Sequence, residues 1–470
     1  MGKVITIDPV TRIEGHSKIT IHLDDKGEVE EALFHVTQLR GFEKFAEGRP
    51  FHEMPSLMAR ICGICPVSHL VASAKACDML MAVRIPPTAV KLRKILNLAQ
   101  IAQSHALSFF YLSSPDLLLG MDADPKQRNL LGVAEANPTL ARNGIRLRQL
   151  GQQIIETLGS KRIHPGWVVG GGVSNPLSVE NRDKILSTLP EAIKIAEDTL
   201  QWFIQQLDRF SEEIKVFANF PALYMGLVGA EGEIETYDGW IRVVDDDQNA
   251  IVEKLESEKY KTIIAEANSP HSYLKSPYFK ALGYPDGVYR VGPLARLHMA
   301  VKCGTPRADK ALRVFKQIPH RSSFYYHYAR LIEIIYAFEK IEELLQDSEI
   351  LDQHVRAVAG ANAYEGFGVS EAPRGILMHH YKIDSDGLIT YADLIIATGH
   401  NNLAMNKGIT QASKHYIKGE KIADGALNRI EAVIRTFDPC LSCSTHAFGQ
   451  MPLQLQLLDS TGALLDEVRR

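Results

Sequence analysis

The segment Arg60-Ile61-Cys62-Gly63-Ile64-Cys65-Pro66-Val67-Ser68-His69 has a counterpart near the other end of the chain, Asp438-Pro439-Cys440-Leu441-Ser442-Cys443-Ser444-Thr445-His446. Each holds a Cys-x-x-Cys pair with a histidine close behind it. Two-residue spacing lets both sulfurs of a turn point at one ion, and two such pairs compose a four-thiolate site. One pair alone is a weak signal, and two with trailing histidines are a strong one. Structural zinc ribbons place their pairs about 15 to 20 residues apart, because there the metal replaces a core. Here the pairs span nearly the whole chain, which points to a catalytic centre rather than a staple. Sulfur ligation by itself still fits zinc or an iron–sulfur cluster.

The chain has 470 residues, of which 45% are hydrophobic and 23% charged, the proportions of a soluble globular protein. Length alone predicts about three domains. If the two cysteine pairs meet, however, the two ends of the chain share one core and that division fails. Lys plus Arg (52) nearly balances Asp plus Glu (56), so there is no basic field to gather nucleic acid or anionic lipid. Six cysteines are too few for a disulfide scaffold. The start, Met1 to Pro9, lacks a signal-like apolar core, and no stretch approaches the roughly 18 uncharged apolar residues of a membrane span. A cytoplasmic protein is expected. Cys77 and Cys303 read as small buried hydrophobes.

Residues 17–36 carry apolar residues in partial alternation around Asp24-Asp25-Lys26-Gly27, predicting an N-terminal antiparallel hairpin. Leu92, Ile95, Ala99, Ala102, Ala106 and Phe109 recur at helical steps, with Thr88 as the expected cap. Thr188-Leu189-Pro190-Glu191 resembles a capping box ahead of Ile193, Ala196, Leu200, Phe203 and Leu207. A further helix carries Leu331, Ile334, Phe338, Ile341 and Leu345, and residues 140–158 and 427–437 predict two more. Strand-like runs return over residues 381–398. The expected fold is therefore mainly α with small β elements (α+β): a long central helix bundle, an N-terminal hairpin and a small C-terminal sheet, with helices dominating the middle.

At these residues the chain resembles the large, catalytic subunit of nickel–iron hydrogenases. The likeness extends to Arg12-Ile13-Glu14-Gly15-His16, Arg40-Gly41-Phe42-Glu43-Lys44 and Glu371-Ala372-Pro373-Arg374-Gly375, in the family's order. Tyr284-Pro285-Asp286-Gly287-Val288-Tyr289-Arg290 is similar to the bidirectional, NAD-linked group of cyanobacterial type. The resemblance implies the nickel–iron large-subunit fold and a nickel–iron centre with carbon monoxide and cyanide on iron. Cys62 and Cys440 match terminal nickel ligands, and Cys65 and Cys443 the bridging pair. Arg374 matches an arginine over the open coordination site, oriented by Asp116 and Asp438, while Thr398 matches a hydrogen-bond partner of a cyanide. His69 matches a donor to a bridging sulfur. Glu14 matches the carboxylate that takes a proton from Cys440 when hydrogen is split heterolytically. Glu43, the Leu394 carbonyl and His446 match ligands of a magnesium or second iron ion near the chain end. Before the resemblance is weighed, Glu14 reads equally as a surface salt bridge and Arg374 as a paired loop residue.

Two cysteines left over are too few for an all-thiolate iron–sulfur cluster, and no Gly-x-Gly-x-x-Gly is present for a dinucleotide. Neither an iron–sulfur cluster nor NAD is expected in this chain. The resemblance implies a small iron–sulfur subunit, diaphorase subunits, nickel-insertion proteins and a maturation endopeptidase as partners. It also implies a body over residues 1–446 and a C-terminal extension, 447–470, removed between His446 and Ala447. The alternating Leu453-Gln454-Leu455-Gln456-Leu457 predicts that the extension pairs with the body as a strand and holds Cys440 and Cys443 from closure. Competing readings are the same chemistry coupled to a deazaflavin, NADP or polysulfide, a zinc-bound structural protein, and the related quinone-site component of respiratory complex I, from which the cysteine pairs are lost.

Overall fold

The structure, a computed structural model, describes residues 3–418, 423–445, 454–458 and 464–469. The chain opens on three antiparallel strands, β1 (Val4–Ile7), β2 (Ser17–Leu23) and β3 (Val29–Val36). Along β2, Ile19, Ile21 and Leu23 point inward, the period of two of a sheet covered on one face. Asp24 closes the β2–β3 turn by accepting the amides of Lys26 and Glu28, both at 2.9 Å. The expected hairpin is thus present, with β1 added along its edge.

Four helices follow that build the bundle or carry the site: α1 (Pro66–Leu80), α2 (Pro87–Leu107), α3 (Pro138–Gly159) and α4 (Leu189–Gln206). Three of them start on a proline, whose missing N–H has no partner to lose in a first turn. Two expected caps do not form. The Thr88 hydroxyl donates to the Glu349 carbonyl at 2.9 Å, and the Thr188 hydroxyl donates back to Ile185 at 2.8 Å. Glu191, the other half of the predicted box, pairs with Arg146 at 2.6 Å. In each case the side chain has a carbonyl or a charge nearer than the helix end.

Within the largely helical middle of the chain, residues 223–290 are mainly strand. Strands β4 (Leu223–Val228), β5 (Trp240–Val244), β6 (Ala250–Leu255), β7 (Ile264–Ser269), β8 (Ser272–Phe279) and β9 (Tyr289–Arg290) occupy this stretch. They form a sheet of order β9-β4-β5-β6 and a separate β7–β8 pair. All of β4 after Leu223 is buried, so it reads as an apolar run that periodicity alone cannot tell from a helix. Then come α5 (Pro293–Met299) and the long α6 (Tyr326–Gln346). The C-terminal sheet has three strands, β10 (Glu365–Ala372), β11 (Gly375–Ile383) and β12 (Ile389–Ile395), the first beyond the predicted span. Helices α7 (Asn402–Tyr416) and α8 (Asp424–Phe437) complete the body. The described content, about 49% helix and 21% strand, is α+β.

Phe203 of α4 sits at the centre of the bundle, its ring 5.5 Å from Phe109 and 6.3 Å from Tyr328 of α6. The two chain ends meet on the far side. Glu14 makes a parallel bridge to Cys440, and Arg435 Nε donates to the Thr11 carbonyl at 3.1 Å. Beyond the body, β13 (Gln454–Leu458) and β14 (Leu464–Arg469) pair with each other. The predicted strand exists, but among the described residues its partner is its own hairpin mate and not the body.

Helix α1 lies against β10 so closely that a Cβ on Gly368 would stand 1.8 Å from the Ala72 carbonyl oxygen. Gly368→Ala must therefore push α1 outward, with an expected loss of about 1–3 kcal/mol or more in urea unfolding. Gly360→Ala, where an added Cβ meets nothing within 4 Å, should stay within about 0.5 kcal/mol. Equal stability of the two variants would overturn this account of the packing.

Candidate metal centre

Both cysteine turns are pinned by the elements around them. Cys65 stands immediately before α1, so Pro66 starts the helix as soon as the second sulfur is placed. Cys62 Sγ accepts the amides of Ile64 and Cys65 at 3.1 and 3.3 Å. Gln100 and Gln103 of α2 both donate to the Ile64 carbonyl, at 2.7 and 2.9 Å. The second turn is held from the N-terminal segment: Glu14 accepts Leu441 N on its carbonyl at 3.2 Å and Ser442 N on Oε2 at 3.0 Å. Gly15, at φ +90°, makes this approach possible, since a Cβ there would lie 2.7 Å from Leu441 Cβ. The Cys440 amide is taken by Thr398 Oγ1 at 2.9 Å.

The result is convergence of four buried sulfurs. Cys62, Cys65, Cys440 and Cys443 Sγ all lie within 4.8 Å of one another, with Cys62–Cys440 at 3.3 Å and Cys65–Cys443 at 3.6 Å. Thiolates about 2.3 Å from one ion stand up to about 4.6 Å apart, so the spacing is that of donors around a common metal. The sulfurs are already together, and the predicted hold on Cys440 and Cys443 is not what the structure shows. Hydrogen bonds from the Cys440, Cys443 and Cys62 thiols, with His69, hold Cys65 well below the usual thiol range, whereas burial pushes Cys440 and Cys443 well up. Several thiolates in so dry a place need a cation among them, which is the chemistry of a soft-metal site.

A small cavity adjoins the sulfurs, lined among others by Cys65, Arg374, Thr398, Cys440 and Cys443. Arg374 Nη2 pairs with Asp438 at 3.1 Å, its Nε bonds the Asp438 carbonyl, and Nη1 lies 3.4 Å from Ser104 Oγ. Burial opposes the guanidinium charge, but Asp438 and the sulfurs of Cys440, Cys65 and Cys62 outweigh it and hold Arg374 well above its ordinary value. His69, besides its bond to Cys65, stands 3.3 Å from His379 Nε2.

Asp116, expected to orient Arg374, is engaged elsewhere. Its oxygens bond Arg12 at 2.6 Å, Arg435 at 2.9 Å and Asn428 at 3.1 Å. Burial acts to raise its pKa, and Arg435 and Arg12 override that and keep the carboxyl below the usual range. Asp116 therefore ties α8 to the N-terminal segment. Glu43 and Leu394 are brought together, but through the Leu394 amide, which donates to Glu43 at 2.9 Å, and not through its carbonyl. Lys275 lies 3.4 Å from both Glu43 oxygens and 3.2 Å from Glu266. Burial raises Glu43, and lifts Glu266 to about 7. Two carboxylates against one ammonium make a place that a hard divalent cation would relieve. His446 and Ala447 lie outside the described residues. Gln100 and Gln103 escape a reading of the sequence, where their only signal is a polar pair three residues apart on a mostly buried helix.

Comparison with known proteins agrees with this geometry. A family profile described as HoxL-like matches residues 4–39, and one described as nickel-dependent hydrogenase matches 40–144 and 233–446. The chain is 42% identical to the beta subunit of the NAD-reducing hydrogenase HoxS of Cupriavidus necator, with all of both chains covered. It is 41% identical to a chain of the F420-non-reducing hydrogenase vhu of Methanocaldococcus jannaschii, covering 89% of this chain and all of the relative. Among solved structures, an NAD+-reducing [NiFe]-hydrogenase in the H2-reduced state superposes with a TM-score of 0.92 at 44% identity, over 94% of this chain and 99% of that one.

The four sulfurs differ in kind from the remaining two. Cys77 donates to the Phe51 carbonyl at 3.2 Å, and burial pushes both Cys77 and Cys303 up, as inert packed thiols. Serine at 62, 65, 440 or 443 should bring tightly bound metal close to zero by elemental analysis, whereas Cys77→Ala and Cys303→Ala should retain it. Metal loss in the second pair, or retention in the first set, would contradict the assignment.

Proposed function

The chain belongs to the nickel-dependent hydrogenase family as a large, hydrogen-activating subunit, and we propose that it serves a reversible, NAD-linked enzyme. The observation that carries the reading is the four-sulfur convergence with the Glu14 carboxylate bonded into the Cys440–Cys443 turn. Cys62, Cys65, Cys440 and Cys443 would together hold a nickel–iron group with carbon monoxide and cyanide on the iron. When bound, that group supplies the Lewis acidity and redox capacity for heterolytic cleavage of hydrogen.

The chain's own residues supply positioning and proton handling. Arg374, kept charged by Asp438, presents a fixed positive charge to the cavity beside the sulfurs, and Thr398 presents its hydroxyl. Cys440 Sγ takes the first proton, and the carboxylate of Glu14, in the segment bridged to Cys440, receives it and passes it outward. Glu14 is half-buried, so it links a dry interior to the surface. His69, through its bond to Cys65, steadies that sulfur. Glu43, with the Leu394 carbonyl and His446, would hold a magnesium or second iron ion.

Two electrons per hydrogen must leave, and two remaining cysteines cannot hold an all-thiolate cluster. They pass to a small iron–sulfur partner and from there through diaphorase subunits to NAD. The likeness to the Cupriavidus and solved NAD-linked enzymes supports this acceptor, while the Methanocaldococcus relative, at nearly equal identity and not named for NAD, keeps another acceptor as the second reading. No described helix is long and apolar enough to cross a membrane, and we place the protein in the cytoplasm. Residues 447–470 are proposed as an extension that a maturation endopeptidase removes after nickel insertion. In support, the match to the nickel-dependent hydrogenase profile runs to residue 446.

The complex isolated with its partner chains should contain nickel and iron and reduce NAD with hydrogen. Zinc alone would overturn the reading, and hydrogen oxidation without NAD reduction would move it to the second acceptor. Glu14→Gln keeps an oxygen for the Ser442 amide but cannot carry a proton. Its hydrogen oxidation should fall about 10²- to 10⁴-fold at unchanged nickel content. Full activity would remove Glu14 from the proton route.

A further inference from the structure

Arg296, in α5, is wholly buried, and all five of its N–H donors are used. Nε and Nη2 form a fork on Glu333 of α6 at 2.7 and 2.6 Å. Nη1 donates to Glu371 at 2.6 Å and to the Ala372 carbonyl at 3.1 Å, and Nη2 donates to the Pro373 carbonyl at 3.2 Å. Those carbonyls belong to the two residues immediately before Arg374. The start of α5 packs on the same turn from the other side. A Cβ on Gly292 would stand 2.7 Å from the Arg374 carbonyl oxygen, and one on Gly375 would stand 2.2 Å from Val291 Cγ2. Backbone and guanidinium together therefore grip the Ala372–Gly375 turn.

The grip is anchored in turn. His105 of α2 bonds Glu333 at 2.7 Å, the Leu227 amide of β4 donates to Glu371 at 2.9 Å, and Asn97 of α2 donates to the Glu371 carbonyl at 2.9 Å. Four elements thus fix Arg296, and Arg296 fixes two consecutive peptide units. A simple internal ion pair needs only the carboxylates. The donors spent on the Ala372 and Pro373 carbonyls make sense if the turn itself must be held in place.

We propose that Arg296 is a positioning residue for the proposed hydrogen chemistry, acting through Arg374: it sets the turn that aims the Arg374 guanidinium into the cavity beside the four sulfurs. The inference rests on the role given to Arg374 under the proposed function. Lysine at 296 retains the charge, but its three donors on one atom cannot span two carboxylates and two carbonyls.

The test is a cycle of Arg296→Lys, Arg374→Lys and the double variant, each isolated as the full complex and assayed for hydrogen-driven reduction of a dye. Arg296→Lys should lower kcat about 10- to 100-fold, as expected for a small misplacement of a reacting-site group, with KM for hydrogen and nickel content unchanged. Because the two act as a unit, the double variant should be no slower than Arg374→Lys alone. Amide hydrogen exchange should quicken in the 371–376 segment and not in the N-terminal sheet, with or without metal. Multiplying losses in the double variant, wild-type kcat in Arg296→Lys, or exchange that rises throughout the chain would each overturn the proposal. Wild-type activity of Arg374→Lys would instead overturn the role of Arg374 and this inference with it. If Arg296→Lys does not fold, Glu333→Gln, which frees one end of the fork, takes its place in the cycle with the same outcomes.

Discussion

Everything in this fold answers to one demand, that two short turns at opposite ends of the chain deliver four sulfurs to a single dry point. Like-charged thiolates repel strongly where water is excluded, so the turns cannot rely on each other and must be held from outside. Each is. Gln100 and Gln103 clamp the first through the Ile64 carbonyl, and Glu14 and Thr398 clamp the second through the amides of residues 440–442. The N-terminal segment, α1, α2 and the last helix are adjacent for that reason. The close seat of α1 on β10, possible only over glycine, sets the height of Cys65 above the sheet.

Much of this is legible in the residues. The Cys-x-x-Cys pairs predict a four-sulfur site that joins the chain's ends, and the apolar spacing of α2, α4 and α6 predicts those helices within a few residues. What fails does so for identifiable reasons. Leu223–Val228 is buried along nearly its whole length and has no polar face, so it shows no alternation. The Thr88 and Thr188 caps lose to nearer carbonyls, a competition decided by neighbours that sequence does not show. Arg374 and Thr398 stand out only through the resemblance to a known family, since one arginine beside a Pro-x-Gly turn carries no signal of its own. The same resemblance gives Asp116 a role at that arginine, and two other arginines claim it. Arg296 has no signal at all, because a charge inside an apolar helix is visible only when its partners are.

The interior is unusually rich in such charges. Arg93, Arg290, Arg296, Arg330 and Arg435 are each almost fully excluded from solvent. Buried ion pairs are weak contributors to stability, because desolvation offsets much of their attraction. Their use here is geometric. Arg93 bonds Asp78, Tyr237 and the Gly172 carbonyl, Arg435 joins Asp116 to the Thr11 carbonyl, and Arg330 reaches the Thr436 carbonyl two residues before Asp438. In each case a guanidinium fork fixes backbone that an apolar contact would leave able to slide, since dispersion has no direction.

That pattern bears on how a proton and electrons can part company within one chain. Separating them requires a fixed positive charge near the sulfurs and a single mobile proton acceptor, and the two must not neutralise each other. Asp438 serves this division. It is buried and bonded to Arg374 by side chain and carbonyl, so it compensates the guanidinium locally. Glu14 approaches from the N-terminal segment, bonded to neutral amides, and is partly open to water. In the proposed function, one carboxylate is committed to charge balance and the other belongs to the proton route. The distinction follows from what each one touches.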